Sequence, residues 1–147
     1  MDKEKMDKEK ILVSACLLGH CVRYDGKVKE IDPKIKKLCE EYDVIPICPE
    51  VDGGLPIPRP KNEIVGDKVF NINNENVTDY FVSGAKKALE IAIQNNVKKA
   101  VLKQSSPSCG TKTVYNGKFE GVKIKGMGIT AQYLSKNGIK VLGEDDL

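Results

Sequence analysis

The sequence predicts an α/β fold: a single layered α/β/α domain with a mainly parallel sheet and a small β-hairpin excursion. Three observations predict it. Short apolar runs at Ile11–Val13, Val44–Cys48, Ala100–Leu102 and Ile139–Leu142 have the length and composition of buried strands. Stretches of helical periodicity alternate with them, the pattern of parallel strands joined by crossover helices. Capping and turn residues punctuate the joins between them. The alternation is Rossmann-like.

The elements follow in order. MDKEKMDKEK repeats a charged pentapeptide and reads as a solvated tail over residues 1–10, leaving 11–147 as the domain. After the strand at Ile11, Asp32 followed by Pro33 is a helix start, an N-cap with proline at the first helical position. Ile35, Leu38, Cys39 and Tyr42 then fall on one helical face, so Cys39 reads as a small core hydrophobe. In the strand from Val44 to Cys48, Pro46 argues against a central, fully hydrogen-bonded position. PEVDGGLPIPRP, from Pro49 to Pro60, reads as a loop, and Lys68 to Ile72 as a short strand. Thr78 is expected to cap a long amphipathic helix with Phe81, Ala85, Ala88, Leu89, Ala92 and Ile93 on one stripe. Val114 to Phe119 is expected to form a hairpin, because Asn116-Gly117 suits a type I′ turn. The last helix should end near Asn137, with Gly138 as its stop, before the strand at Ile139.

Composition bounds the function. The 147 residues suffice for one core without disulfide staples, and 40% hydrophobic with 31% charged residues is ordinary for a globular protein. No apolar run is long enough to cross a bilayer, and the charged start is not a secretory signal, so a cytoplasmic location is expected. A net charge of +3 suits a small anionic ligand. Scattered lysines and the absence of tryptophan argue against a nucleic-acid platform.

Five cysteines are the most informative count. Thiols stay reduced in the cytoplasm, and an odd number cannot pair completely, so metal ligation or catalysis becomes the question. Cys16 follows the first strand, Cys48 closes the second, and Cys109 lies in the loop after the third. Ligands of open parallel sheets gather at the carboxyl ends of strands, so these three thiols should converge. There is no CxxC pair to support a zinc ribbon, although His20 or Cys21 could complete a zinc site. Thiolates also hold iron–sulfur clusters, and three cysteines on four irons leave one iron open as a Lewis acid. Spacing alone does not separate these choices.

Glu50, two residues beyond Cys48, is the carboxylate best placed for proton chemistry, and a partly desolvated loop would raise its pKa toward that of a general base. Its competitors are Asp52 and the plain alternative of an exposed loop glutamate. Ser105, Ser106 and Ser108 offer hydroxyls beside Cys109 that could orient a substrate or simply cap a helix. Ser14 precedes Cys16 in a turn of small residues. Arg23 and Asp25 lie in a turn ending at Gly26, and Arg59 sits between prolines. Arginine forks suit a phosphate or a uracil-like edge, with surface salt bridging the alternative.

These motifs have a family likeness. SACLLGHCVRYDG, CPEVDGGLPIPRP, VTDYFVSGAKKAL and LKQSSPSCGTKTVYNGKF, in that order, resemble the thiouracil desulfidase (TudS) family, formerly a bacterial and archaeal family of unknown function. The likeness runs from about Ile11 to the C-terminus. It implies an oxygen-sensitive [4Fe-4S] cluster held by Cys16, Cys48 and Cys109, with one iron not bound by protein. Cys21 falls in the family-like pattern and stands in reserve. The resemblance further implies Glu50 and Ser106 as catalytic residues, while the residue chemistry above offers Ser14, Arg23, Asp25, Arg59, Ser105 and Ser108 as a substrate-binding surface. His20 and Gln104 look like local variation.

The implied reaction is nonredox desulfuration of a thiolated pyrimidine base, nucleoside or nucleotide to the oxo pyrimidine, with release of hydrogen sulfide. Two rivals stand beside it: an iron–sulfur protein that carries or inserts sulfur, and a zinc-binding structural module. Fold alone does not choose among them.

Overall fold

The computed structural model describes residues 8–19 and 31–147. In chain order the elements are β1 (Lys10–Ser14), α1 (Pro33–Glu41), β2 (Asp43–Ile47), α2 (Pro49–Asp52), β3 (Asn62–Val65), β4 (Lys68–Asn71), α3 (Thr78–Gln94), β5 (Lys99–Leu102), β6 (Thr113–Tyr115), β7 (Lys123–Lys125), α4 (Ile129–Lys136) and β8 (Lys140–Gly143). Short 3-10 turns follow β1 (Ala15–Leu18) and β8 (Glu144–Asp146).

The sheet is parallel throughout, in the order β2-β1-β5-β8. Its central strands are apolar without a break because both faces are covered. Ile11, Val13 and Val101 pack on one face with Ile35 and Leu38 of α1. Leu12, Ala100 and Leu102 pack on the other with Ala88 and Ala92 of α3 and with Ala131 and Leu134 of α4. These are the two helical layers of the expected α/β/α arrangement. Pro46 behaves as its chemistry requires: β2 is an edge strand, pairing with β1 alone among the described strands.

Capping follows local chemistry. The Asp32 side chain accepts from the Lys34 amide at 2.8 Å, with Pro33 at the first helical position. Gly138, at φ +83°, stops α4 in a left-handed conformation that a residue with a Cβ would resist. Thr78, expected as a cap, is already inside α3. The Asn76 side chain accepts from its amide at 3.0 Å, while the Thr78 hydroxyl accepts from the Val69 amide at 2.9 Å and ties α3 to β4.

Other expectations are corrected. Cys39 is exposed: the buried stripe of α1 is as narrow as Ile35 and Leu38, and Cys39 turns past it. Ile93 is 64% exposed, because Ala92 takes the inward position on that turn of α3. The proline-rich segment contains the one-turn helix α2, where Pro49 supplies the fixed φ of a first helical residue. Asn116-Gly117 does not close a two-residue turn. The Asn116 amide bonds the Val122 carbonyl at 2.9 Å, so residues 116–122 form a longer connection between β6 and β7. A second antiparallel pair joins β4, the strand expected at Lys68–Ile72, to β3, whose two apolar residues, Ile64 and Val65, are too short a run to signal a strand. Among the described residues, no helix is long and apolar enough to cross a membrane.

Candidate active site

The strand order creates the site. From β1 the chain moves outward to β2 and then returns past β1 to β5, with α1 on one face and α3 on the other. The connections leaving β1 and β5 therefore diverge and open a crevice at the carboxyl end of the sheet. A cavity of about 420 Å³ lies there, and Cys16, Cys48 and Cys109 all line it. Ser14 stands opposite Ile47 and Val13 opposite Val101, so the ends of β1, β2 and β5 are level, which is why thiols so distant in sequence line one cavity.

Glu50 reaches the same cavity from α2. Its side chain is only 12% exposed and is held from two sides. Arg59 Nε donates to Oε1 at 3.0 Å, and the Ser108 hydroxyl donates to Oε2 at 2.9 Å. Ser106 Oγ stands 2.9 Å from Ser108 Oγ and 3.4 Å from Glu50 Oε2, completing a short hydroxyl–carboxylate chain. Ser106 Oγ also accepts from the Ser108 and Cys109 amides, both at 3.2 Å, fixing the loop that carries the thiol. Asp52, the competing carboxylate, turns back to accept from the Cys48 amide at 3.2 Å.

Close backbone packing holds these parts. A Cβ on Gly84 of α3 would lie 1.8 Å from the Pro49 carbonyl oxygen, so the long helix touches the backbone between Cys48 and Glu50 directly. Gly128, ahead of α4, abuts the Ser108–Cys109 peptide in the same way.

The thiols are set by their surroundings. Burial pushes the Cys109 thiol up to about 12, against hydrogen bonds from Ser14 and Ser108 that lower it, while the charges of Cys16 and Glu50 add to the rise. Cys48 is also raised, first by burial, with a Val51 amide contact and Arg59 opposing. Such thiols hold their protons until a metal displaces them.

The other expected residues fall as follows. Ser14 Oγ accepts from the Lys103 amide at 2.9 Å, joining the ends of β1 and β5. Ser105, at φ +63°, pairs with the Thr113 hydroxyl at 3.0 Å. Arg59, expected to face a substrate, lines the cavity but is buried, and besides Glu50 it bonds the Pro56 carbonyl at 3.1 Å. Gln104 braces the loop through Thr111, its side-chain nitrogen donating to Oγ1 at 2.5 Å. Arg23, Asp25, Cys21 and His20 lie outside the described residues.

Sequence reasoning missed the other residues of the cavity lining, among them Lys61, Glu63, Lys103, Tyr115 and Phe119. The aromatic pair in VYNGKF was the available signal. Glu63 gave none, because its burial depends on the connection between β6 and β7 folding over it. Its Oε1 accepts from the Gly117 amide at 2.9 Å and the Phe119 amide at 3.2 Å.

Fold and site together define an α/β enzyme whose pocket is lined by three thiols and an anchored carboxylate. The chain belongs to the 2-thiouracil desulfurase family, whose model matches residues 11–146. A solved structure described as "[4Fe-4S]-dependent thiouracil desulfidase TudS" is similar at 46% identity and a TM-score of 0.91, over 95% of this chain and 93% of that one. Uncharacterized protein YbbK of Bacillus subtilis (strain 168) is 40% identical over 147 residues, covering 93% of this chain and 97% of that protein.

Proposed function

We propose that this chain is a [4Fe-4S]-dependent desulfidase of thiolated pyrimidines: 2- or 4-thiouracil, thiouridine or its monophosphate. Water and the thione give the oxo pyrimidine and hydrogen sulfide, with no net electron transfer. The observation that carries this reading is the sharing of one cavity by Cys16, Cys48, Cys109 and the Glu50–Ser108–Ser106 chain. The 46% identical desulfidase structure supports it.

The donor set fits the cluster. Three thiols carried by the segments after β1, β2 and β5 line the cavity, the donor chemistry such a cluster takes. Cys16, Cys48 and Cys109 would hold the cluster, as thiolates hold four-iron clusters generally. When bound, it would supply an iron without a protein ligand, a Lewis acid that draws electrons from the C–S bond. Reduced thiols in this number suit a cytoplasmic setting.

The chain's own residues do the rest. Arg59 and Ser108 fix the Glu50 carboxylate, so that its remaining lone pairs accept a proton from the water that attacks the ring carbon. Ser106, linked to Glu50 directly and through Ser108, passes a proton toward the departing sulfur. Partial enclosure of the pocket strengthens each of these charged contacts.

Turnover of 2-thiouracil by anaerobically prepared protein, following uracil and sulfide together, tests the reading. Equal amounts of both are expected, and Glu50→Gln should keep its iron while losing at least about a hundredfold in kcat. Full activity in that variant would remove Glu50 from the mechanism.

A further inference from the structure

One part of the cavity lining has a construction of its own. Phe119 lines the cavity with its backbone at φ +55°, a left-handed conformation that a bulky side chain adopts only when its surroundings hold it there. The holding group is Glu63 of β3, 6% exposed, whose Oε1 takes the amides of both Gly117 and Phe119. Gly117, at φ +87°, lets the connection lie against β3: a Cβ there would be 2.6 Å from the Ile64 carbonyl oxygen. Burying a carboxylate is costly unless it is well bonded, so two backbone donors to one oxygen mark a contact that organises the segment. Tyr115, on β6, lines the same cavity.

We propose that Phe119, with Tyr115, forms the stacking wall for the planar ring of the substrate, and that Glu63 is the positioning residue that sets Phe119. This rests on the desulfidase reading above. A flat heteroaromatic ring whose sulfur faces the thiols has to be steadied on its π-face, and an aromatic side chain does this for any pyrimidine. The wall contributes to binding and takes no part in bond breaking, so its loss should fall on KM rather than kcat.

The test uses anaerobically reconstituted enzyme with 2-thiouracil as substrate. Phe119→Leu should raise KM about tenfold, with kcat within about twofold and iron content unchanged. Phe119→Tyr should restore KM. Glu63→Ala should raise KM in the same manner, Glu63→Gln, which keeps an accepting oxygen, should recover most of it, and the Glu63→Ala/Phe119→Leu double variant should be no worse than Phe119→Leu alone. Calorimetric binding of uracil to the same proteins reads the wall without turnover, and should weaken about tenfold in Phe119→Leu. An unchanged KM and uracil affinity in Phe119→Leu overturns the wall, and additive effects in the double variant overturn the role of Glu63. Wild-type protein that binds uracil through Phe119 but turns over no thiopyrimidine would instead defeat the desulfidase reading.

Discussion

Ser108 donates its hydroxyl proton to Oε2 of Glu50 at 2.9 Å, across 58 positions of sequence. The contact binds the loop after β5 to the one-turn helix after β2, so the segments that carry Cys109 and Cys48 are fixed relative to one another. Ser108 is 2% exposed and belongs to the interior of the site. Ser108→Ala leaves one oxygen of a largely buried carboxylate without its shortest donor. We expect kcat for 2-thiouracil to fall about tenfold or more, with iron content retained. Wild-type kcat in this variant would remove the hydroxyl from the proton path.

The C-terminal turn braces the same loop. Glu144 accepts from the Gln104 amide at 2.6 Å and from Lys103 Nζ at 3.0 Å, just ahead of the left-handed Ser105. Glu144→Ala should cost about 1–3 kcal/mol in urea unfolding, the loss of a charge-assisted anchor, and kcat/KM should drop with it. Unchanged stability would show that the loop holds its shape without the anchor.

Gly84 provides a test with an unusual sign. Alanine in place of an interior helical glycine ordinarily stabilises by about 1 kcal/mol. Here the added methyl would meet the Pro49 carbonyl, so Gly84→Ala should destabilise by about 1–3 kcal/mol and displace both Cys48 and Glu50. Iron content after anaerobic reconstitution should fall as well. A variant more stable than wild type would contradict the close approach of α3 to α2.

Thr130 is fully buried, and its hydroxyl has no partner among the described residues. Replacing it with the isosteric valine removes that cost. Thr130→Val should therefore gain about 1 kcal/mol in denaturant unfolding, with activity unaffected. A loss of stability would reveal a hydrogen bond to that hydroxyl.

In cluster-free protein the thiols should label in order of access and thiolate fraction. Among the described cysteines, Cys39 is exposed and should react first with an alkylating reagent at pH 8. Cys109, buried and raised to about 12, should react last, its rate climbing as pH approaches that value because the thiolate is the nucleophile. Peptide mass mapping of a timed reaction reads the order, and early modification of Cys109 would contradict its burial.

The sheet was legible because its central strands are buried on both faces. Ile11–Val13 and Ala100–Leu102 carry no polar residue to obscure them, and Pro46 announced an edge strand through its missing donor. The presence of Cys16, Cys48 and Cys109 in one cavity lining could be anticipated from the rule about strand ends. What escaped was set by tertiary placement. The proline- and glycine-rich composition of residues 49–60 hid α2, the Asn116-Gly117 pair suggests a two-residue turn because the pull of Glu63 on Phe119 is invisible locally, and nothing adjacent in sequence joins Ser108 to Glu50. The contact of Arg59 with Glu50 escaped as well, because it depends on where α2 places the carboxylate.

The central claim is that Cys16, Cys48 and Cys109 together hold an iron–sulfur cluster, and iron and acid-labile sulfide on anaerobically prepared protein test it most directly. About four of each per chain are predicted for the wild type, with both lost in Cys16→Ala, Cys48→Ala and Cys109→Ala. Zinc in place of iron, no metal after reconstitution, or full iron in any one of the three variants would contradict it.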